Sequence, residues 1–210
     1  MKWHFILDTE TMGSESTNCA VVDCSYVCFD WDRFTTNPYT FAELESLAQR
    51  DKLDVQHQVK DFGFKVDKST VEWWSKLPPE VRIMAKPTKN DLTLDQFFDR
   101  LNSYLSDFRK IDYWWSRANS FDPIILWRLI KHRPDQHLIN NKLNHWKLRD
   151  TRTFIDARAN FPVKNGFVPF QDEAKWAAVF KEHNSVHDII ADILRLQVLI
   201  RLEKDLDPVE

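Results

Sequence analysis

The chain has 210 residues, 43% hydrophobic and 29% charged, with a formal net charge of −3; this is ordinary globular composition and excludes a disordered or fibrous chain. No stretch is apolar for the length of a membrane span and no basic-then-apolar leader opens the sequence, so a cytoplasmic protein without a membrane partner is expected. The three glycines, Gly13, Gly63 and Gly166, exclude Walker and dinucleotide loops, which need closely spaced glycines.

In chain order, "WHFIL" and "AVVDCSYVCFD" predict two strands, separated by the polar turn "GSESTN". Cys19, Cys24 and Cys28 form no C-x-x-C pair. The odd count points to free thiols in a reducing compartment, with Cys24 and Cys28 on one side of the second strand as small hydrophobes. "YTFAELESLAQR" reads as either a strand or a short helix. "KSTVEWWSKLPPEVR" predicts a helix capped by Ser69 or Thr70 and stopped at Pro78-Pro79. "DLTLDQFFDRLNSYLSDFR" places Leu94, Phe97, Phe98, Leu101 and Leu105 on one helical face. "KIDYWWSRANS" predicts a strand that buries Trp114 and Trp115. "FDPIILWRLIKHR" follows as a helix with Pro123 in its first turn. "HWKLRDTRTFIDA" reads as strand then helix, and "SVHDIIADILRLQVLIRLEK" as a long closing helix, apolar on more than one face. Alternating strands and helices without a linker predict one α/β domain over residues 1–204 and a short acidic tail at 205–210. The apolar breadth of the last helix leaves open a homodimer.

The first strand runs into Asp8 and Glu10. Side chains two apart on a strand share a face, and two adjacent carboxylates repel unless a hard divalent cation lies between them. Asp122, where a predicted strand meets a helix, is either a cap or a third ligand. His187 and Asp192 stand five apart at the start of the last helix. On a continuous helix that spacing misaligns them, but they converge if the histidine lies in the entry turn and the aspartate one turn inside. His183, four residues earlier, reads as a surface residue or a support for His187. Residues 109–158 hold eleven Lys and Arg against five Asp, a local excess that suits a phosphate chain or a basic surface.

An Asp-x-Glu pair on strand one, an Asp after a central strand and a His-x4-Asp opening the last helix resemble, in that order, the DEDDh 3′→5′ exonucleases. "DTETMGS", "STVEWW", "RANSFDPIIL", "RDTRT" and "HNSVHDIIADIL" are most similar to the exodeoxyribonuclease A group of T-even bacteriophages, and to mycobacterial relatives that trim RNA. The resemblance implies an RNase H-like fold with a mixed central sheet flanked by helices. It implies two Mg²⁺ or Mn²⁺ ions on Asp8, Glu10, Asp122 and Asp192, with His187 as general base. The partner would be the 3′ end of single-stranded nucleic acid, DNA favoured over RNA, in a bacterial cytoplasm. A catalytically silent 3′-end-binding domain is the alternative outside enzymology. Thr11, Met12 and Asn119 would line the substrate groove. Trp73 or Trp74 would stack on a base, since adjacent helical residues cannot occupy one face.

Overall fold

The computed structural model describes residues 1–133, 137–159 and 179–207. Five strands form one sheet: β1 (Trp3–Thr11), β2 (Val21–Asp30), β3 (Gln49–Lys52), β4 (Tyr113–Ser116) and β5 (Leu148–Asp150), in the order β3-β2-β1-β4-β5. β1 pairs antiparallel with β2 and parallel with β4, so the sheet is mixed. Among the described residues the helices are α1 (Arg33–Thr36), α2 (Phe41–Leu47), α3 (Val55–Phe62), α4 (Lys68–Lys76), α5 (Pro79–Ala85), α6 (Leu94–Ser106), α7 (Asp122–Ile130), α8 (His137–Lys142), α9 (Thr151–Arg158) and α10 (Ser185–Leu202).

The alternation of β1 divides the molecule into two apolar layers. Phe5 and Leu7 point to one face and pack with α6 and α7 side chains; Ile6 points to the other and packs with α10. β2 is buried at all ten positions, because both its faces are covered. Cys24 and Cys28 lie in the first layer beside Tyr26, and all three cysteines are free and buried. Trp114 and Trp115 are both buried, on opposite layers.

α6 buries the five apolar residues expected and starts with a reciprocal capping box between Thr93 and Gln96. α4 begins one residue before the expected cap, with Asp67 ahead of Lys68, and Leu77 turns extended before Pro78. The undecided stretch is the short helix α2, capped by Thr40, running into the four-residue edge strand β3.

α10 packs against β1, β2, α1, α2 and α9. Its breadth of apolar surface is therefore spent inside the chain, each fully buried Ile or Leu contributing about 1.5–3 kcal/mol. Two of the polar residues it buries are bound by backbone groups: Gln197 exchanges two hydrogen bonds with the Tyr39 backbone (2.8 and 3.0 Å), and Arg201 donates to the Phe34 carbonyl at 2.9 Å. The homodimer that this helix suggested loses its physical basis there. No helix among the described residues is long and apolar enough to cross a membrane.

Candidate active site

At the end of β1, Asp8 and Glu10 share the α10 face with Ile6, as the two-residue period requires. Thr9 points the other way and grips Asp122: its hydroxyl donates to Oδ1 at 2.6 Å and its backbone N–H to the same oxygen at 3.2 Å. Asp122 thereby reaches the end of β1 from the first turn of α7, and it is buried.

The start of α10 is tied to the same strands. Asn184 caps it, accepting from the Val186 N–H. The Ser185 hydroxyl donates to Asp23 Oδ1 at 2.6 Å and lies 2.7 Å from the Ser25 hydroxyl, both on β2. Asp23 stands opposite Glu10 in the β1–β2 register. One turn further, Asp188 meets the β1 acids, and single carboxylate oxygens of Asp8, Glu10 and Asp188 lie within 4.8 Å of one another.

Such a cluster resists ionisation. Burial, then the neighbouring Asp122, pushes Asp8 well above the usual carboxylate range; burial, then Asp23, does the same to Glu10. Burial and the nearby Asp192 raise Asp188 to about 7, and burial raises Asp122 to about 6 against the Thr9 hydrogen bonds. Half-buried oxygen donors that hold their protons this tightly fit a hard divalent cation, whose charge would replace the protons.

Among the described residues, the cavity around this cluster is lined by Asp192 but not by His187, and neither belongs to the trio of close carboxylate oxygens. His187 is buried against the Phe41 ring, 5.2 Å away. Its Nδ1 accepts the Lys181 N–H at 2.9 Å and its Nε2 lies 3.3 Å from a Glu45 oxygen. Burial pushes its pKa down, with Glu45 opposing. Asp192, one helical turn beyond Asp188, lines the same cavity as Asp8, Glu10 and Asp188 but is held by other partners. It pairs with Arg117 and with Arg195 (2.9 Å) through Oδ1 and accepts the Thr151 hydroxyl at 2.6 Å through Oδ2. It is the shared counter-ion of two arginines.

His183 stands where the sequence pattern demanded a histidine, five residues before Asp188. The chain contains two overlapping His-x4-Asp frames, which the cap places differently on the helix. With Asn184 as N-cap, His183 lies outside the helix at φ 64° and Asp188 falls in its first turn. The Asn-Ser pair ahead of the apolar run was the signal available for this choice. His183 lines a cavity of about 340 Å³ together with Asp8, Glu10, Asp188, Asp192 and the two arginines that pair with Asp192, Arg117 and Arg195.

Of the expected groove residues, Trp73 touches a residue that lines this cavity: it is 39% exposed and its ring stands 4.7 Å from that of His183. Trp74 is buried against Val22 and Val81, and its Nε1 donates to the Thr11 carbonyl at 3.0 Å. Thr11 is tied internally through its hydroxyl to Gly13, and the Met12 N–H is spent on Ala20. Asn119 is exposed beyond β4, with its N–H on Asp150 at 3.3 Å.

The family described as the 3′-5′ exoribonuclease Rv2179c-like domain matches residues 3–197. The chain belongs to this family. An exodeoxyribonuclease of Enterobacteria phage T4 is 32% identical over 97% of this chain and 91% of its own length. Among solved structures, Exonuclease I of Methylocaldum szegediense superposes with a TM-score of 0.63 at 15% identity, covering 98% of this chain and 41% of that one. A zinc-bound complex of E. coli Exonuclease I with single-stranded DNA gives 0.60 at 14% identity, covering 98% and 41%. The chain spans about two fifths of each of these structures, whose likeness shows the fold: RNase H-like, with a mixed sheet between helical layers. As an Rv2179c-like domain related to the phage enzyme, the protein is a 3′→5′ exonuclease, and its acidic cluster suits a divalent metal.

Proposed function

We propose that the domain, residues 1–204, removes nucleotides one at a time from the 3′ end of single-stranded DNA. The convergence of Asp8, Glu10 and Asp188 beside His183 carries this reading. Asp8, Glu10, Asp188 and Asp122 would hold two Mg²⁺ or Mn²⁺ ions. Such ions activate water and stabilise charge on the attacking and leaving oxygens of a phosphodiester. The roles expected of His187 and Asp192 pass to His183 and Asp188.

His183 takes the proton of the attacking water. The imidazole stands outside the helix, half-buried beside the acids, where it can reach a water held among them. Attack on the terminal phosphodiester then releases a nucleoside 5′-monophosphate. Thr9 fixes the Asp122 carboxylate, Ser185 fixes the helix that bears Asp188, and Trp73 offers an exposed ring on which the terminal base stacks.

The phage relative favours DNA; the family description favours RNA as a second reading. A gel assay of 5′-labelled single-stranded DNA and RNA of one sequence, with Mg²⁺, Mn²⁺ or EDTA, tests both. A ladder shortening from the 3′ end, faster on DNA and abolished by EDTA, is expected. A faster RNA ladder selects the second reading, and intact label in every lane overturns both.

A further inference from the structure

At the far end of β1 from the acids lies a second cavity, of about 490 Å³. His4 lines it and Asp8 lines the acidic cavity, so four residues of extended chain, about 13 Å, separate them. The wall is aromatic. Trp31 and Trp115 stack nearly parallel at 5.5 Å and 4°, His4 lies 4.6 Å from Trp31, and Phe154 stands edge-on to Trp115 at 5.3 Å. The volume is that of a small-ligand site, and its flat rings alternate with the polar side chains of Lys2, His4, Asp112, Arg149 and Arg158.

Two polar groups in it are unspent. His4 is only 4% exposed, and its Nδ1 accepts the Trp115 indole N–H at 3.0 Å. Burial lowers its pKa to about 4, so the ring is neutral and its proton sits on Nε2, which has no hydrogen-bond partner among the described residues. The second group is Arg149, whose guanidinium lies over the Tyr113 ring at 4.2 Å and donates only to the carbonyls of Trp146 and Leu148. The other charges around the cavity are neutralised. Lys2 is 3.6 Å from Asp32, Arg158 is bound by Glu203 at 2.8 Å, and Asp112 pairs with Lys110. Among the described residues Arg149 meets no carboxylate, which leaves it for an anion.

A flat ring, a buried donor and an unneutralised guanidinium together match an aromatic base carrying a phosphate. We propose that this cavity binds one nucleotide unit, its base against the aromatic wall and its phosphate on Arg149, apart from the acidic site. The unit is either a free nucleoside 5′-monophosphate or one nucleotide of a strand. Arg is suited to the phosphate because its planar fork can donate two parallel hydrogen bonds.

The test is titration of the full chain in EDTA with dAMP, adenosine, inorganic phosphate and an eight-residue oligothymidylate, read by tryptophan fluorescence and calorimetry. Binding of dAMP, tighter than adenosine or phosphate alone, is expected and identifies a free mononucleotide; binding of the oligomer alone identifies a strand nucleotide. Arg149→Ala should weaken that binding tenfold or more, and Arg149→Met, which keeps the stem over Tyr113, should do the same. Asp188→Asn should leave it unchanged while removing metal-dependent cleavage, so failure of this site and failure of the nuclease reading are separable. No binding of either nucleotide probe overturns the proposal. So does wild-type affinity in both Arg149 variants, or loss of binding in Asp188→Asn.

Discussion

Asp188 and Asp192 differ by one helical turn and by everything around them, which makes them opposite as mutants. Asp188 faces other acids, so Asp188→Asn removes repulsion: metal-dependent cleavage is abolished while the melting temperature in EDTA at pH 8 is unchanged or rises. Asp192 is the counter-ion of Arg117 and Arg195, and both of its oxygens are engaged. Asp192→Asn strands buried positive charge and should cost about 3–5 kcal/mol, a fall in melting temperature visible by calorimetry. A pair of variants behaving the other way round would restore Asp192 to the metal site. The histidines divide similarly. His183→Ala should lower kcat by about 10²–10⁴-fold, the usual share of a general base, with the fold intact. His187 holds the chain two residues before His183, accepting the Lys181 N–H, and faces Glu45. His187→Leu should lower kcat by about 10–100-fold with little change in KM, the size of effect seen when a supporting contact is lost. His187→Asn, which keeps an acceptor near Nδ1, should recover part of it; equal loss in both variants would mean the contact to Lys181 is immaterial.

The site is assembled where β1, β2 and the first turn of α10 meet, and its acidity is a property of that junction. Asp188 titrates near 3.8 when unfolded and is raised to about 7 here; Asp122 is raised to about 6. Between these values the folded chain holds protons that the unfolded chain has released. The metal-free protein is therefore most stable below about pH 4 in this respect, and that stability is lost as pH rises through 7. Melting in EDTA should fall from pH 5 to pH 8. Added Mg²⁺ should raise it more at pH 8 than at pH 5, because the ion displaces protons at the lower pH. A flat profile in EDTA would mean solvated acids. Much of this junction was legible beforehand. The period of two put Asp8 and Glu10 on one face, the helical period of α6 gave one covering layer, and Pro123 marked the start of α7 beside Asp122. β3 and β5, four and three residues long, are too short to show a period and form because the neighbouring strand offers its edge. The frame proposed here for the last motif could not be chosen from spacing, because both His-x4-Asp pairs have the same one. What separates them is a cap at Asn184 and a hydrogen bond from Ser185 to Asp23, 162 residues apart. The first is local and readable; the second exists only once the sheet has formed.

Across the whole molecule, the acids and His183 come from one chain, and α10, the helix broad enough to have served a partner, is covered by its own sheet and by α1, α2 and α9. The large apolar side chains left exposed among the described residues come one or two at a time from different elements, such as Leu47 of α2, Val59 of α3, Ile83 of α5 and Tyr113 of β4. A stable homodimer would bury on the order of 800 Å² of surface per partner, with an apolar patch at its centre. Light scattering should therefore give the 25.1 kDa of a single chain, and cleavage per chain should stay constant as enzyme is diluted from micromolar to nanomolar. A mass of twice that value, with specific activity falling on dilution, would show that the site depends on a second copy, through a surface other than α10.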